Sequence, residues 1–258
     1  MIIMKEFTNW DNFNTDYSVN FEVCEIPLFH GTRKHALSTS KSERESFYSA
    51  CKIMMEFAKN FDYNNVLDED EINIYRKEKN PYFLDTAVYS YKTNKYNYGD
   101  FYITSSYTCA LSFSCYAGGE LGEYAYAQYK GFCDFNIELD ATIKNAGEII
   151  KKEYDKYNKS EKVILVYKNI KFTDLIIEGG TPFITSNTDS EYTRYKINRL
   201  YKNPHANNNF SLLNLGNYTA LTLPEKDFRT GFSLFTNIKD IDKAIKNHNF
   251  DRNPKWCF

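Results

Sequence analysis

The sequence predicts a single α+β domain with helices early and strands late, and three observations predict it. Apolar residues recur at helical spacing in several segments between Ser42 and Tyr157. Beyond Val163 the chain breaks into short apolar pieces separated by Gly, Asn and Pro, the pattern of strands and turns. No repeat of fixed period and no low-complexity linker divides the 258 residues, a length that can bury a substantial core. One domain over residues 1–258 is expected, interrupted by an insertion at about 62–97.

The elements follow in order. Glu25 to His30, EIPLFH, is a buried strand that runs out at Gly31. Ser42 and Glu45 form an S-x-x-E capping box, and Phe47, Cys51, Met54, Ala58 and Phe61 continue at helical spacing as a core stripe. Asp62 to Pro81 is acidic and then basic, with DED at 68–70 and RKEK at 76–79, and reads as a solvated helical or looped insertion. Tyr98 to Thr104 is a strand entered through Gly99. Ser105 and Ser106 can cap a following helix through Ala110, Phe113 and Ala117, which Gly118–Gly119 ends. A further helix starts over Glu120 to Tyr129. Phe132 to Leu139 alternates apolar and polar and predicts a half-buried strand. Ala141 to Tyr157 is an amphipathic helix and Val163 to Tyr167 a fully buried strand. Leu175 to Ile177, the neighbourhood of Tyr192 to Ile197, Phe210 to Leu215, Tyr218 to Leu223 and Phe232 to Phe235 read as strands, and Ile238 to Lys246 as a last helix.

Composition narrows the function classes. Lys plus Arg is 32 against 34 for Asp plus Glu, so no global positive charge draws the chain to phosphate backbones. The N-terminus lacks the apolar stretch of a signal peptide and no segment reaches membrane-spanning length. A cytoplasmic protein with no membrane association is expected. Cys24, Cys51, Cys109, Cys115, Cys133 and Cys257 contain no C-x-x-C pair and no neighbouring His cluster, so they read as reduced, mostly buried hydrophobes and no metal site is expected. The aromatic share of 17% fits AT-rich coding sequence as readily as a binding surface, so it assigns no function by itself.

Two local patterns carry chemistry. The first is Leu28-Phe29-His30-Gly31-Thr32 at the end of a buried strand. The second is Gly99-Asp100-Phe101-Tyr102-Ile103-Thr104, followed by a helix with Phe113 eleven residues after Tyr102. In this order they resemble the first two motifs of the H-Y-E class of ADP-ribosyltransferases, the group of the poly(ADP-ribose) polymerases and diphtheria-type toxins. The resemblance covers roughly residues 25 to 117. It places His30, Gly31 and Thr32 in the family's His-Gly-Ser/Thr motif, Tyr102 at the strand Tyr, Phe113 at the helix aromatic, and Ala110 where the family tends to carry a small residue. It implies a split β-sheet core with flanking helices and NAD as a substrate, with catalytic His30, Tyr102 and Glu191 and NAD contacts from His30, Gly31, Thr32, Tyr102, Ala110 and Phe113.

The physics of those roles is simple. Nicotinamide in NAD is a flat cation, which two aromatic faces, Tyr102 and Phe113, would hold by stacking and cation–π attraction. Gly31 has no side chain, so its backbone can approach a carboxamide closely. His30 and Thr32 can hydrogen-bond ribose hydroxyls or the carboxamide. Breaking the nicotinamide–ribose bond leaves an oxocarbenium-like ribose, which a nearby carboxylate would stabilise. Ser190-Glu191-Tyr192-Thr193-Arg194-Tyr195 resembles the family's Glu strand, with Glu178 in IIEGGTPF as the rival and Glu120 and Glu123 as outsiders.

The expected activity is mono-ADP-ribosylation of a macromolecular acceptor, protein or nucleic acid. By analogy with small enzymes of this class, the setting is that of a toxin or defence effector with an inhibitor or antitoxin partner. Three alternatives stay open: a structural or interaction protein that shares none of this chemistry, a catalytically inactive NAD or ADP-ribose-binding module, and an RNA 2′-phosphotransferase-like enzyme. The four scattered histidines, His30, His35, His205 and His248, do not suggest the phosphate pocket of the last.

Overall fold

The computed structural model describes residues 21–24, 26–84, 88–89, 91, 101–177, 180–184, 191–202 and 208–225. The expected strand at Phe232 to Phe235 and the helix at Ile238 to Lys246 lie outside the described residues. The chain is mixed α/β, and its contacts form two compact units interleaved in sequence. One comprises Met1–Thr32, Asp100–Cys115 and Glu161–Phe258, the other Arg33–Gly99 and Tyr116–Ser160.

The second unit is helical among the described residues. It holds α1 (Lys34–Ser38), α2 (Lys41–Asn60), α3 (Glu69–Glu78), and, after the first unit's α4 (Tyr107–Phe113), also α5 (Gly119–Asp134) and α6 (Ala141–Lys159). The capping box of α2 lies two residues earlier than the sequence suggests. Ser40 Oγ accepts from the Glu43 amide while Glu43 Oε2 accepts from the Ser40 amide. Ser42 and Glu45 instead lie within the first turns, because Ser40 is the residue with extended backbone. The apolar stripe of α2 is core, with Phe47, Ala50, Cys51, Met54, Met55 and Ala58 buried. In α3 the acidic-then-basic order is helix-dipole order. Asp68 caps the amides of Asp70 and Glu71, carboxylates fill the first turn, and Arg76 and Lys77 occupy the last.

Phe132 to Leu139 is corrected from strand to helix end. α5 runs to Asp134 and closes with Phe135 and Asn136 amides donating to Gly131 and Cys133 carbonyls, Asn136 being left-handed at φ 53°. Phe135, Ile137 and Leu139 do pack against the helical core. The alternation therefore reports one-sided burial, but among the described residues no strand lies alongside to make a ladder. Where α5 and α6 meet, a Cβ on Gly147 would fall 2.1 Å from the Tyr129 ring, so that ring lies directly on the α6 backbone.

The first unit is built on a seven-stranded sheet of order β7-β6-β8-β3-β2-β4-β9. Its strands are β2 (Leu28–Arg33), β3 (Tyr102–Thr104), β4 (Lys162–Tyr167), β6 (Leu175–Ile177), β7 (Thr181–Pro182), β8 (Asn209–Leu212) and β9 (Ala220–Pro224). β1 (Val23–Cys24) and β5 (Ile170–Lys171) pair separately. β4 is buried from Val163 onward, as its unbroken apolar run requires, and pairs with β9 over five positions. The neighbourhood of Tyr192 to Ile197 is corrected from strand to helix, α7 (Glu191–Lys202). Thr193, Ile197, Leu200 and Tyr201 are its buried residues, a 3.6-residue period that the short sequence window hid behind its β-favouring Tyr and Thr. Among the described residues no helix is long and apolar enough to cross a membrane.

Gln128 is the buried polar link of the helical unit. Its Oε1 accepts from the Leu84 amide at 2.8 Å and its Nε2 donates to the Tyr82 carbonyl at 2.7 Å, pinning the turn in which Leu84 is left-handed. Gln128→Leu strands both backbone groups away from water and is expected to cost about 1–3 kcal/mol. The check is a lower denaturant midpoint at unchanged m-value.

Candidate functional site

The described residues of the two sequence motifs, Leu28 to Thr32, Phe101 to Thr104, Ala110 and Phe113, lie in the sheet-bearing unit, at the contact of β2, β3 and α4, while Gly99 and Asp100 lie outside the described residues. α4 forms where expected. Ser106 is its N-cap, with Oγ accepting from the Cys109 amide, and the Ser106 amide in turn donates to Thr104 Oγ1. The helix ends at Phe113, short of the expected Ala117.

β2 and β3 pair antiparallel with Phe29 opposite Thr104. Among the described residues one register pair joins these strands, against three for β3 with β8 and five for β4 with β9, a short contact that forms a pinch in the sheet. At the pinch His30 Nδ1 donates to the Tyr102 carbonyl at 2.6 Å. A side chain thus satisfies a backbone acceptor at the point where the ladder opens. The His30 ring also lies on Phe101, centroids 4.0 Å apart and planes at 30°, and Phe101 meets Tyr167 edge to face at 5.7 Å.

Register and alternation sort the side chains. Phe29 touches Tyr107 of α4 at 5.7 Å and shares a cluster with Ala110, Ile164, Val166 and Leu223, so its face is the one α4 covers. Thr104 is opposite Phe29, so Tyr102, two residues along, and Gly31, two residues along the other way, belong to that same face. His30 and Phe101 belong to the opposite face. The structure therefore brings His30 to the backbone of Tyr102 and places the Tyr102 side chain on the side of the sheet where α4 carries Phe113. Tyr102 and Phe113 are both half-buried, as is Thr32, whereas Ala110 is fully buried.

Gly31 is sterically obligatory. A Cβ there would stand 1.6 Å from the Ala110 carbonyl oxygen and 2.8 Å from the Ser114 nitrogen, so the α4 backbone rests directly on the strand. Ala110 is the position at which this contact is made, and its small side chain fits its burial.

Electrostatics settle the state of His30. Desolvation pushes its pKa down to about 4, outweighing the hydrogen bond to the Tyr102 carbonyl, which raises it. The ring is neutral near pH 7. With the proton held on Nδ1 by the carbonyl, Nε2 carries a lone pair and can accept a hydrogen bond.

Glu191 is not brought to this arrangement by a strand. It is exposed and stands in the first turn of α7, where a carboxylate is favoured by the helix dipole. Glu178 lies outside the described residues. Glu120 and Glu123 serve the helical unit: Glu120 Oε1 accepts from Tyr124 Oη, and Glu123 accepts from the Ala117 amide and from Tyr154 Oη. Phe101 is the site residue that the motifs pass over. The signal for it was its place beside Tyr102 in a strand, since alternation turns it toward the face on which the neighbouring strand carries His30. No protein-family model, curated protein or solved structure matches this chain.

Two outcomes follow from this geometry. Gly31→Ala should destabilise by about 3 kcal/mol or more, because neither atom it meets belongs to a flexible side chain, whereas Gly216→Ala, with open space around it, should stay within about 0.5 kcal/mol. Thermal unfolding of the pair reads the difference. For His30, the folded pKa lies below the unfolded value, so the unfolded chain takes up the proton first. Stability is full above about pH 6.5 and falls as pH drops toward about 4. Wild type should lose on the order of 2–3 kcal/mol more than His30→Gln across that window, measured as the difference in pH slope of unfolding free energy.

Proposed function

We propose that the sheet-bearing unit binds NAD at the β2–β3 pinch and transfers its ADP-ribose to a macromolecular acceptor. The observation that carries this is the joint geometry of His30, Gly31 and Tyr102. A neutral histidine is anchored on the Tyr102 carbonyl, and a strand glycine is pressed under the helix that bears Phe113. The pinch is where the family's split sheet would divide. Tyr102 and Phe113, on one side of the sheet, are the two ring faces for nicotinamide. The carboxamide contact falls to the Gly31 N–H and C=O rather than to the space of its missing Cβ, which α4 fills, and His30 Nε2 accepts from a ribose hydroxyl from the other face of the sheet, where β2 and β3 part. In the reaction the C–N bond to nicotinamide breaks, its electron pair leaving on nicotinamide. The ribose cation that results takes a lone pair from the acceptor nucleophile, which then loses its proton.

The carboxylate that steadies the ribose cation is assigned first to Glu191 and next to Glu178. The exposure of Glu191 at a helix N-terminus favours one second reading, a module that binds NAD without turning it over. Labelled NAD incubated with the protein and a cell lysate separates the two. Label on a macromolecule supports transfer, bound but unconsumed NAD selects the module, and absence of binding removes both. Tyr102→Ala and Phe113→Ala should each weaken NAD binding by on the order of 1 to 3 kcal/mol, seen by calorimetry on folded protein. Glu191→Gln should lower turnover by roughly a hundredfold with affinity nearly unchanged, and full turnover in that variant moves the role to Glu178.

A further inference from the structure

α7 presents a face that the core does not use, with Glu191, the carboxylate first assigned to the ribose cation, at its N-terminal end. While one side of the helix is buried, Tyr192 and Tyr195 stand 66% and 60% exposed, and Arg199 is exposed beside them. Positions 192, 195 and 199 are spaced i, i+3, i+7 and share one stripe. Lys196 flanks it, with Nζ 4.6 Å from the centre of the Tyr192 ring and donating to the Phe183 carbonyl at 3.1 Å. Both partners are neutral, so the Lys196 charge is not cancelled, and Arg199 makes no ion pair among the described residues. Glu191, at the N-terminal end, is the one carboxylate of the helix. The positive charge is local, since the whole chain is at −2.

We propose that this face of α7 binds single-stranded nucleic acid, with bases stacked on Tyr192 and Tyr195 and phosphates drawn to Lys196 and Arg199. Lys196 lies over the Tyr192 ring, and the ring's 66% exposure leaves surface on which a base can be laid. Cations alone would suit any polyanion; the two exposed rings on the same stripe select one with accessible aromatic faces. A duplex hides its bases in the stack, and an acidic peptide has carboxylates but no planar faces to lay on the rings. The binding does not depend on the NAD reading and is measured without NAD.

Fluorescence anisotropy of the full chain tests it with labelled short oligonucleotides of one mixed sequence as single-stranded DNA, single-stranded RNA and DNA duplex, and with a labelled polyglutamate peptide. Saturable binding of one or both single strands, tighter than the duplex, is expected, and the better strand identifies the natural class. Tyr192→Ala with Tyr195→Ala should weaken it by about tenfold or more at unchanged salt slope, while the Phe pair restores it. Arg199→Ala should lower the slope of log K against log salt by about 0.7. Circular dichroism confirms folding, and the Phe pair and Arg199→Ala still decide the matter if the Ala pair is unfolded. No binding of either strand at low salt overturns the proposal. So does duplex binding as tight and insensitive to the tyrosines, or polyglutamate binding as tightly as the single strands.

Discussion

The backbone of α4 rests on β2 at Gly31, and the arrangement around the pinch depends on that contact. With the Ala110 carbonyl oxygen 1.6 Å from where a Cβ would stand, no other residue could occupy position 31 without moving helix or strand. The close approach sets the height of α4 above the sheet. It thereby places Phe113 at the helix end and lets Tyr107 and Ala110 close over Phe29, Ile164 and Val166. A contact made by backbone is also stiff, because it has no rotamer to change, and a binding surface is better organised on such a support than on side chains alone.

His30 adds the second constraint. Where β2 and β3 part, the Tyr102 carbonyl would face an opening in the ladder, and the imidazole fills its need for a donor. The same bond fixes the tautomer and the low pKa keeps the ring uncharged, so Nε2 is presented as an acceptor over the physiological range. A protonated ring would offer only donors, and would repel a cationic nicotinamide. The stack on Phe101 then limits rotation of the ring. Local strand geometry, hydrogen bonding and burial thus converge on one protonation state, which is the property the proposed NAD contact uses.

The helical unit shows how similar signals separate into structure and surface. In α2 a capping box and a continuous apolar stripe agree, and the helix is long and buried on one side. In α3 a segment of mostly charged residues is still a helix, because Asp68 caps it and its charges are ordered along the dipole, while Ile72 and Tyr75 supply its buried contact. In α7 the same amphipathic logic buries Ile197 and Leu200 and leaves aromatic and basic residues outside. Among the described residues α7 is the helix that carries two exposed tyrosines, Tyr192 and Tyr195.

Local physics is legible in a sequence, and so it determined much here. A strand carrying His30, which the structure starts at Leu28 and carries past Gly31 to Arg33, the Ser106 cap and helix carrying Ala110 and Phe113, the buried run of β4, and the core stripe of α2 all rest on periodicity or on a cap within a few residues. Only the tertiary structure decided what depends on partners far along the chain. The box at Ser40 rather than Ser42 turned on which residue stayed extended, and among the described residues Phe132 to Leu139 has no neighbouring strand to make its alternation a ladder. Glu191 became a helix start because the burial of Thr193, Ile197, Leu200 and Tyr201 outweighed the β-preference of the residues around it. The use of Phe101 behind His30, and of Gly31 as the seat of α4, came from the pairing of segments some seventy to eighty residues apart, a juxtaposition set by packing and register rather than by any property of the residues alone.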